Sequence, residues 1–228
     1  MTRDDIVEVL RPVVDRLNET NISYVLVGGI TVPFYLASEL AGSIRPTKDI
    51  DIIVAAVKLA QFDRIEERLR DAGFLNHSEV RHRWLLNGTL IDIVPAESEV
   101  LPNVNRWYPV TYSTAEPVEI APGCGAMMAS PACFLATKME AFIRRGKGDF
   151  LASHDLEDFI SVIDGRETIE REIAFGCPEE VREFLRLSVR QLLANREFLD
   201  AIEGFLPTNF RTHDRLQQLV SRLYWLAE

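Results

Sequence analysis

Between Arg45 and Val54 the chain reads RPTKDIDIIV, two carboxylates set two residues apart in a run that is otherwise apolar and β-branched. In an extended strand successive side chains alternate, so Asp49 and Asp51 share one face while Ile50 and Ile52 take the other. The isoleucines require a core on their side. On the opposite side two like charges repel, and burying them costs several kcal/mol each unless something positive compensates. A divalent cation does so naturally, because magnesium takes hard oxygen ligands, usually one or two carboxylates with phosphate oxygens and water. Asp-x-Asp alone also describes the wet face of a half-exposed strand, or a turn. The choice turns on what else the chain supplies.

It supplies two things. Asp92 is the one acid among apolar residues in TLIDIVP, and Gly28-Gly29 ends the β-rich run YVLV just ahead of a helical pattern. Each has a plain structural reading as well: Asp92 as a cross-strand ion pair with Arg83, and the glycines as a strand-to-helix turn. In RHRWLLNGTLIDIVP, Asn87-Gly88 between two apolar runs is a strong hairpin signal, since both residues tolerate positive φ. Pairing about that turn sets Leu86 opposite Thr89, Trp84 opposite Ile91 and Arg83 opposite Asp92.

Around these motifs the chain has two textures. Apolar residues at helical spacing (Ile6, Val9, Leu10, Val13, Val14, Leu17) predict a first helix, YVLV a strand, TVPFYLASELAG a helix closed by Gly42, DIDIIV a strand, and KLAQFDRIEERLRDAGF an amphipathic helix stopping at Gly73. WYPVTYS and PVEIA predict a further strand pair. From Ser130 onward every segment is helical in pattern. The expectation is an α/β (α+β) fold: a small mixed sheet with flanking helices over residues 1–125, then a C-terminal helical domain over 126–228, with the active site in the cleft between them.

Charge and cysteine content narrow the function classes. A net charge of −10 over 228 residues argues against broad coating of a nucleic acid, whose non-specific affinity comes from neutralising phosphates; a local basic groove from Arg144, Arg145 and Lys147 would offset this. Cys124, Cys133 and Cys177 are far apart, which predicts a reduced compartment and no structural zinc. The start MTRDDIVEVL carries acids where a signal peptide is apolar, and no apolar run has the length of a membrane span, so a cytoplasmic protein is expected.

The order YVLVGG, helix, RPTKDIDIIV, then LIDIV resembles the nucleotidyltransferase superfamily related to DNA polymerase beta. FLATKMEAFIRRGKGDF followed by SHDLEDFISVIDGR is similar to the helical region of bacterial AbiEii-type nucleotidyltransferases, toxins of toxin-antitoxin and phage-abortive systems. The likeness spans residues 20–165. It implies that Asp49 and Asp51 hold the magnesium ions, two of them, that bridge the triphosphate of an NTP. Asp92 would complete the second metal site, and Gly28 and Gly29 would let the backbone approach the phosphates. Gly29 stands where the wider superfamily can have serine, a mark of the AbiEii branch. An acceptor hydroxyl on tRNA and a cognate antitoxin protein are further implications; an antibiotic-modifying enzyme of the same core and a catalytically silent binding module are the alternatives.

Lys138 is legible from its own helix. In SPACFLATKMEAFIRRG it falls within the stripe Phe134, Leu135, Met139, Phe142 and Ile143, where an inward lysine needs an acidic partner or must snorkel out. The family likeness assigns it a nucleotide phosphate instead. Arg45, Lys48 and Arg83 lie beside the carboxylates, placed to steer triphosphate or to balance charge. Asp155 and Asp158 follow Ser153 in the first turn of a helix, where acids satisfy the helix dipole.

Overall fold

A computed structural model describes residues 2–37, 45, 47, 49–77, 79–97, 99–145 and 150–228, the side chain of Phe210 aside. The chain divides into two units, Met1–Phe34 with Ile44–Ser130, and Tyr35–Ser43 with Pro131–Glu228. The second helix predicted from TVPFYLASELAG begins as a 3-10 turn at Gly29–Thr31 and the short α2 (Val32–Tyr35); its expected end at Gly42 lies outside the described residues.

The first unit is organised by a seven-stranded mixed sheet. Its strands are β1 (Tyr24–Val27), β2 (Ile50–Val54), β3 (Leu75–Asn76), β4 (Arg83–Leu86), β5 (Thr89–Pro95), β6 (Glu116–Ala121) and β7 (Cys124–Met128). Their order across the sheet is β3-β4-β5-β2-β1-β7-β6. β2 sits at the centre, antiparallel to β1 and parallel to β5. The alternation read from DIDIIV holds there: Ile50 and Ile52 are fully buried while Asp51 between them is half-buried, and Asp49 lies exposed just ahead of the strand.

Helices close the faces. α1 (Arg3–Glu19) buries Ile6, Leu10, Val13, Val14 and Leu17 and packs on β6 and β7. A reciprocal cap starts it, the Asp5 amide donating to Thr2 Oγ1 and the Thr2 amide to the Asp5 carboxylate. α3 (Leu59–Asp71) turns Phe62, Glu66 and Leu69 inward, and Arg81 neutralises the buried Glu66 through two hydrogen bonds of 2.8 and 3.1 Å.

The β4–β5 hairpin has the predicted register, with Asn87 and Gly88 at φ 50° and 83°. The segment after it departs from expectation. WYPVTYS forms a helix, α4 (Tyr108–Ser113), and the partner of PVEIA is β7. Threonine hydroxyls explain why β-prone residues accept helical backbone here: Thr111 Oγ1 donates to the Trp107 carbonyl and Thr114 Oγ1 to that of Val110, both at 2.7 Å.

The second unit is helical: α5 (Pro131–Arg145), α6 (His154–Gly165), α7 (Ile169–Gly176), α8 (Glu179–Leu193), α9 (Arg196–Ala201) and α10 (His213–Ala227). Phe134, Leu135, Phe159, Leu185, Phe198, Leu219 and Leu223 are among its fully buried side chains. The long helical pattern after Pro178 is interrupted at Asn195, whose Oδ1 accepts from the Glu197 and Phe198 amides and starts α9 anew.

Candidate active site

Sheet register brings the singled-out residues of the first unit into one row. Asp51 of β2 is opposite Asp92 of β5, Asp92 is opposite Arg83 of β4, and on the other flank Asp51 is opposite Val27 of β1. Neighbouring strands lie about 4.8 Å apart, so residues roughly forty positions apart become side-by-side neighbours. The two carboxylates gain this proximity from the parallel β2–β5 pairing.

Gly28 follows Val27 directly and closes the row. Its φ of 77° and ψ of −175° fall in a region open essentially to glycine alone. A methyl group there would overlap the Asp51 side chain, within 2.7 Å of its Cγ and 2.8 Å of its Cβ. The glycine is required by the carboxylate as well as by the turn. Thr31, fully buried, donates its hydroxyl to the Gly28 carbonyl at 2.7 Å and fixes the turn from behind.

Arg83 grips Asp92 as a fork, Nε to Oδ1 and Nη2 to Oδ2, each at 2.8 Å. These bonds, then the Asp92 charge, hold the guanidinium above its ordinary range against a small opposing effect of burial; Asp49 and Asp51 add to the same field. All three carboxylates therefore bear on one arginine. As the side chains stand they do not converge on one point: among the described residues no set of three or more His, Cys, Asp or Glu side chains is gathered as for a metal. Arg83 draws Asp92 toward β4, on the side away from β2. The donor chemistry still fits magnesium, which needs one or two carboxylates and fills its remaining positions with phosphate oxygens and water.

No family model matches the chain, and no curated protein matches it. Solved structures do. An antigenic nucleotidyltransferase-like protein from Paracoccidioides brasiliensis superposes with a TM-score of 0.55 at 20% identity, covering 88% of this chain and 94% of that one. The fold is nucleotidyltransferase-like. Two weaker likenesses are JHP933 from Helicobacter pylori (TM-score 0.49, 11% identity, 99% and 91% covered) and the antibiotic-resistance factor ANT(2'')-Ia (0.48, 14%, 85% and 96%).

Within this fold the remaining candidates are distributed as follows. Gly29 is buried and opens the 3-10 turn after β1. Arg45 is half-buried, and Lys48 lies outside the described residues, as does Lys147 of the expected basic groove. Lys138 belongs to the second unit, 8% exposed, with its ammonium 2.6 Å from Asp158 Oδ2 and 3.3 Å from Asp155 Oδ1. Arg145 completes the group, donating Nε and Nη2 to Asp155 at 2.9 and 3.2 Å. The acidic partner that an inward lysine requires is thus supplied by the helix beside it. Ser153 caps α6 as expected, its hydroxyl accepting from the Leu156 amide, but Asp155 and Asp158 turn inward to the cations instead of standing as simple dipole partners. No helix among the described residues is long and apolar enough to cross a membrane.

Proposed function

We propose that the protein is a magnesium-dependent nucleotidyltransferase that moves a nucleoside monophosphate from an NTP to an acceptor hydroxyl and releases pyrophosphate. One observation carries this reading: Asp51 and Asp92 stand in register on adjacent parallel strands at a glycine turn, in a fold like that of a nucleotidyltransferase-like protein. Asp49, just ahead of β2, and Asp51 within it would hold the metal, with Asp92 completing the site. Magnesium, when bound, supplies positive charge against the triphosphate and lowers the pKa of an attacking hydroxyl. The residues themselves provide position. β2 and β5 fix the two carboxylates by backbone hydrogen bonds instead of a flexible loop, and Gly28 lets the chain pass close to Asp51.

For the acceptor we propose tRNA, on the resemblance of the Lys138 helix and the following SHDLEDFISVID segment to AbiEii-type enzymes; a cognate antitoxin belongs to the same proposal. The test is transfer of label from each α-labelled NTP, with magnesium, into tRNA, protein or an aminoglycoside. Labelled tRNA that vanishes in Asp51→Asn is the expected result. Label in no pool, with Asp51→Asn indistinguishable from wild type in nucleotide binding, would remove the reading.

A further inference from the structure

The Arg83–Asp92 pair calls for an explanation of its own. A fork of two 2.8 Å bonds engages both oxygens of the one carboxylate that register places beside Asp51. Across the row the order is Arg83, Asp92, Asp51, so the arginine flanks the two carboxylates and does not separate them. The pair is also reachable: the Arg83 side chain is 34% exposed and that of Asp92 is 19% exposed. A divalent ion arriving at Asp92 meets a guanidinium already on that carboxylate, and the two cations repel.

We propose that Arg83 is a resident counter-ion of the carboxylate row, holding Asp92 toward β4 until a divalent cation displaces it. This rests on the transferase reading for the identity of the ion, and adds that metal entry and release of Arg83 are one event. The pair neutralises Asp92 while no metal is bound, so the row tolerates adjacent like charges without a permanent ion. Displacement then frees a guanidinium at the edge of the same site, on the face that the carboxylates share. Asp92 has an acceptor position left on each oxygen even when forked, so the experiment must separate displacement of the arginine from metal and arginine held together.

Two measurements decide, neither of them turnover. Manganese(II) binding to the full chain without nucleotide, followed by the paramagnetic resonance of the free ion, should be about tenfold tighter in Arg83→Gln than in wild type, a change equivalent to about 1.4 kcal/mol. Arg83→Lys, which keeps the charge and loses the fork, should fall between. Equal or weaker manganese binding in Arg83→Gln overturns the proposal. In wild type, the arginine Nε–H resonance assigned to Arg83 should shift and exchange faster with solvent on titration with magnesium. A resonance unmoved at saturating magnesium overturns it even if Arg83→Gln fails to fold. The two levels fail differently: bound metal with an unmoved Arg83 signal sinks the counter-ion and leaves the transferase, whereas tighter binding in Arg83→Gln with no nucleotide transfer from wild type sinks the transferase and leaves the counter-ion.

Discussion

The protein holds two groups of opposed charges, and they are arranged differently. In the helical unit Lys138 reaches two carboxylates, Asp155 and Asp158, and Arg145 also holds Asp155, so cation and anion alternate from Arg145 through Asp155 and Lys138 to Asp158. On the sheet Asp92 and Asp51 are neighbours and Arg83 stands outside them. Exposure differs as well: the helical group encloses Lys138 and Asp158, 8% and 3% exposed, under the open Arg145 side chain, whereas Asp51 and Asp92 are half-buried and Asp49 is open to solvent. In the enclosed part of the helical group each buried charge has a partner, and the fold suffers when one partner is removed. A row that keeps like charges adjacent and half-exposed is what the proposed cation site needs.

The largest expected effect follows from the enclosed group. Lys138→Met keeps the volume of the side chain and takes the ammonium away from the buried Asp158 and Asp155. Removing one partner of a buried pair costs about 3–5 kcal/mol. Urea denaturation should show a loss of that order, while manganese binding to the sheet unit stays unchanged. If stability hardly moves and NTP affinity collapses instead, Lys138 is a nucleotide ligand and the contrast between the groups is gone.

Gly28→Ala attacks the other side of the comparison. The backbone conformation alone costs about 1–3 kcal/mol for a residue with a side chain, and the methyl meets the Asp51 carboxylate as well. Stability should fall by about 2–3 kcal/mol, with manganese affinity lost alongside it because Asp51 must move. An alanine variant that keeps both would show that the turn is not what positions the carboxylate.

How much of this was legible beforehand depended on whether the signal was local. The Asn87-Gly88 turn, the β2 alternation and most of the Lys138 stripe are local patterns that formed as read; Ile143, expected in the stripe, is exposed where the helix nears its end. β7 was missed because CGAMM has a glycine and an alanine where strands favour branched residues; its pairing with β6 and β1 supplies what propensity does not. α4 was misread because Trp107, Tyr108, Val110 and Thr111 favour strands, and the stabilising hydroxyl-to-carbonyl bonds appear only once the turn exists. At the site, the ion pair of Arg83 with Asp92 was one of two readings the hairpin allowed. The placing of Asp92 beside Asp51 depends on parallel pairing across some forty residues, and the identity of Lys138's partners on how α5 packs against α6; neither is written in a local pattern.

Acid should separate the groups by a further, milder route. Burial alone raises the Asp155 pKa, and the bonds to Arg145, the charge of Lys138 and the charge of Arg145 outweigh it, leaving the carboxyl below its ordinary 3.8. A carboxyl depressed in the folded state contributes stability that is present above 3.8 and is lost as pH falls through the folded value. Unfolding free energy measured from pH 6 down to pH 2 should therefore drop in the window below 3.8, and Asp155→Asn should flatten that part of the curve. An unchanged profile in Asp155→Asn would mean that the enclosed group is not what ties stability to acid.

The smallest effect has the opposite sign, and it tests the central claim about the sheet. Like charges placed opposite each other across strands destabilise by a few tenths of a kcal/mol. Asp51→Asn removes one member of the Asp51–Asp92 pair while keeping the size and shape of the side chain beside Gly28. At low salt and without divalent ions it should leave stability unchanged or raise it by up to about 0.5 kcal/mol, read from the urea midpoint. With magnesium added the order should reverse, because wild type gains the binding energy of the ion and the variant does not. That crossing is the signature of a residue kept for a ligand at some cost to the fold. A loss exceeding about 1 kcal/mol in metal-free buffer would instead make Asp51 a structural acceptor, and the sheet row would then differ from the helical group in exposure alone.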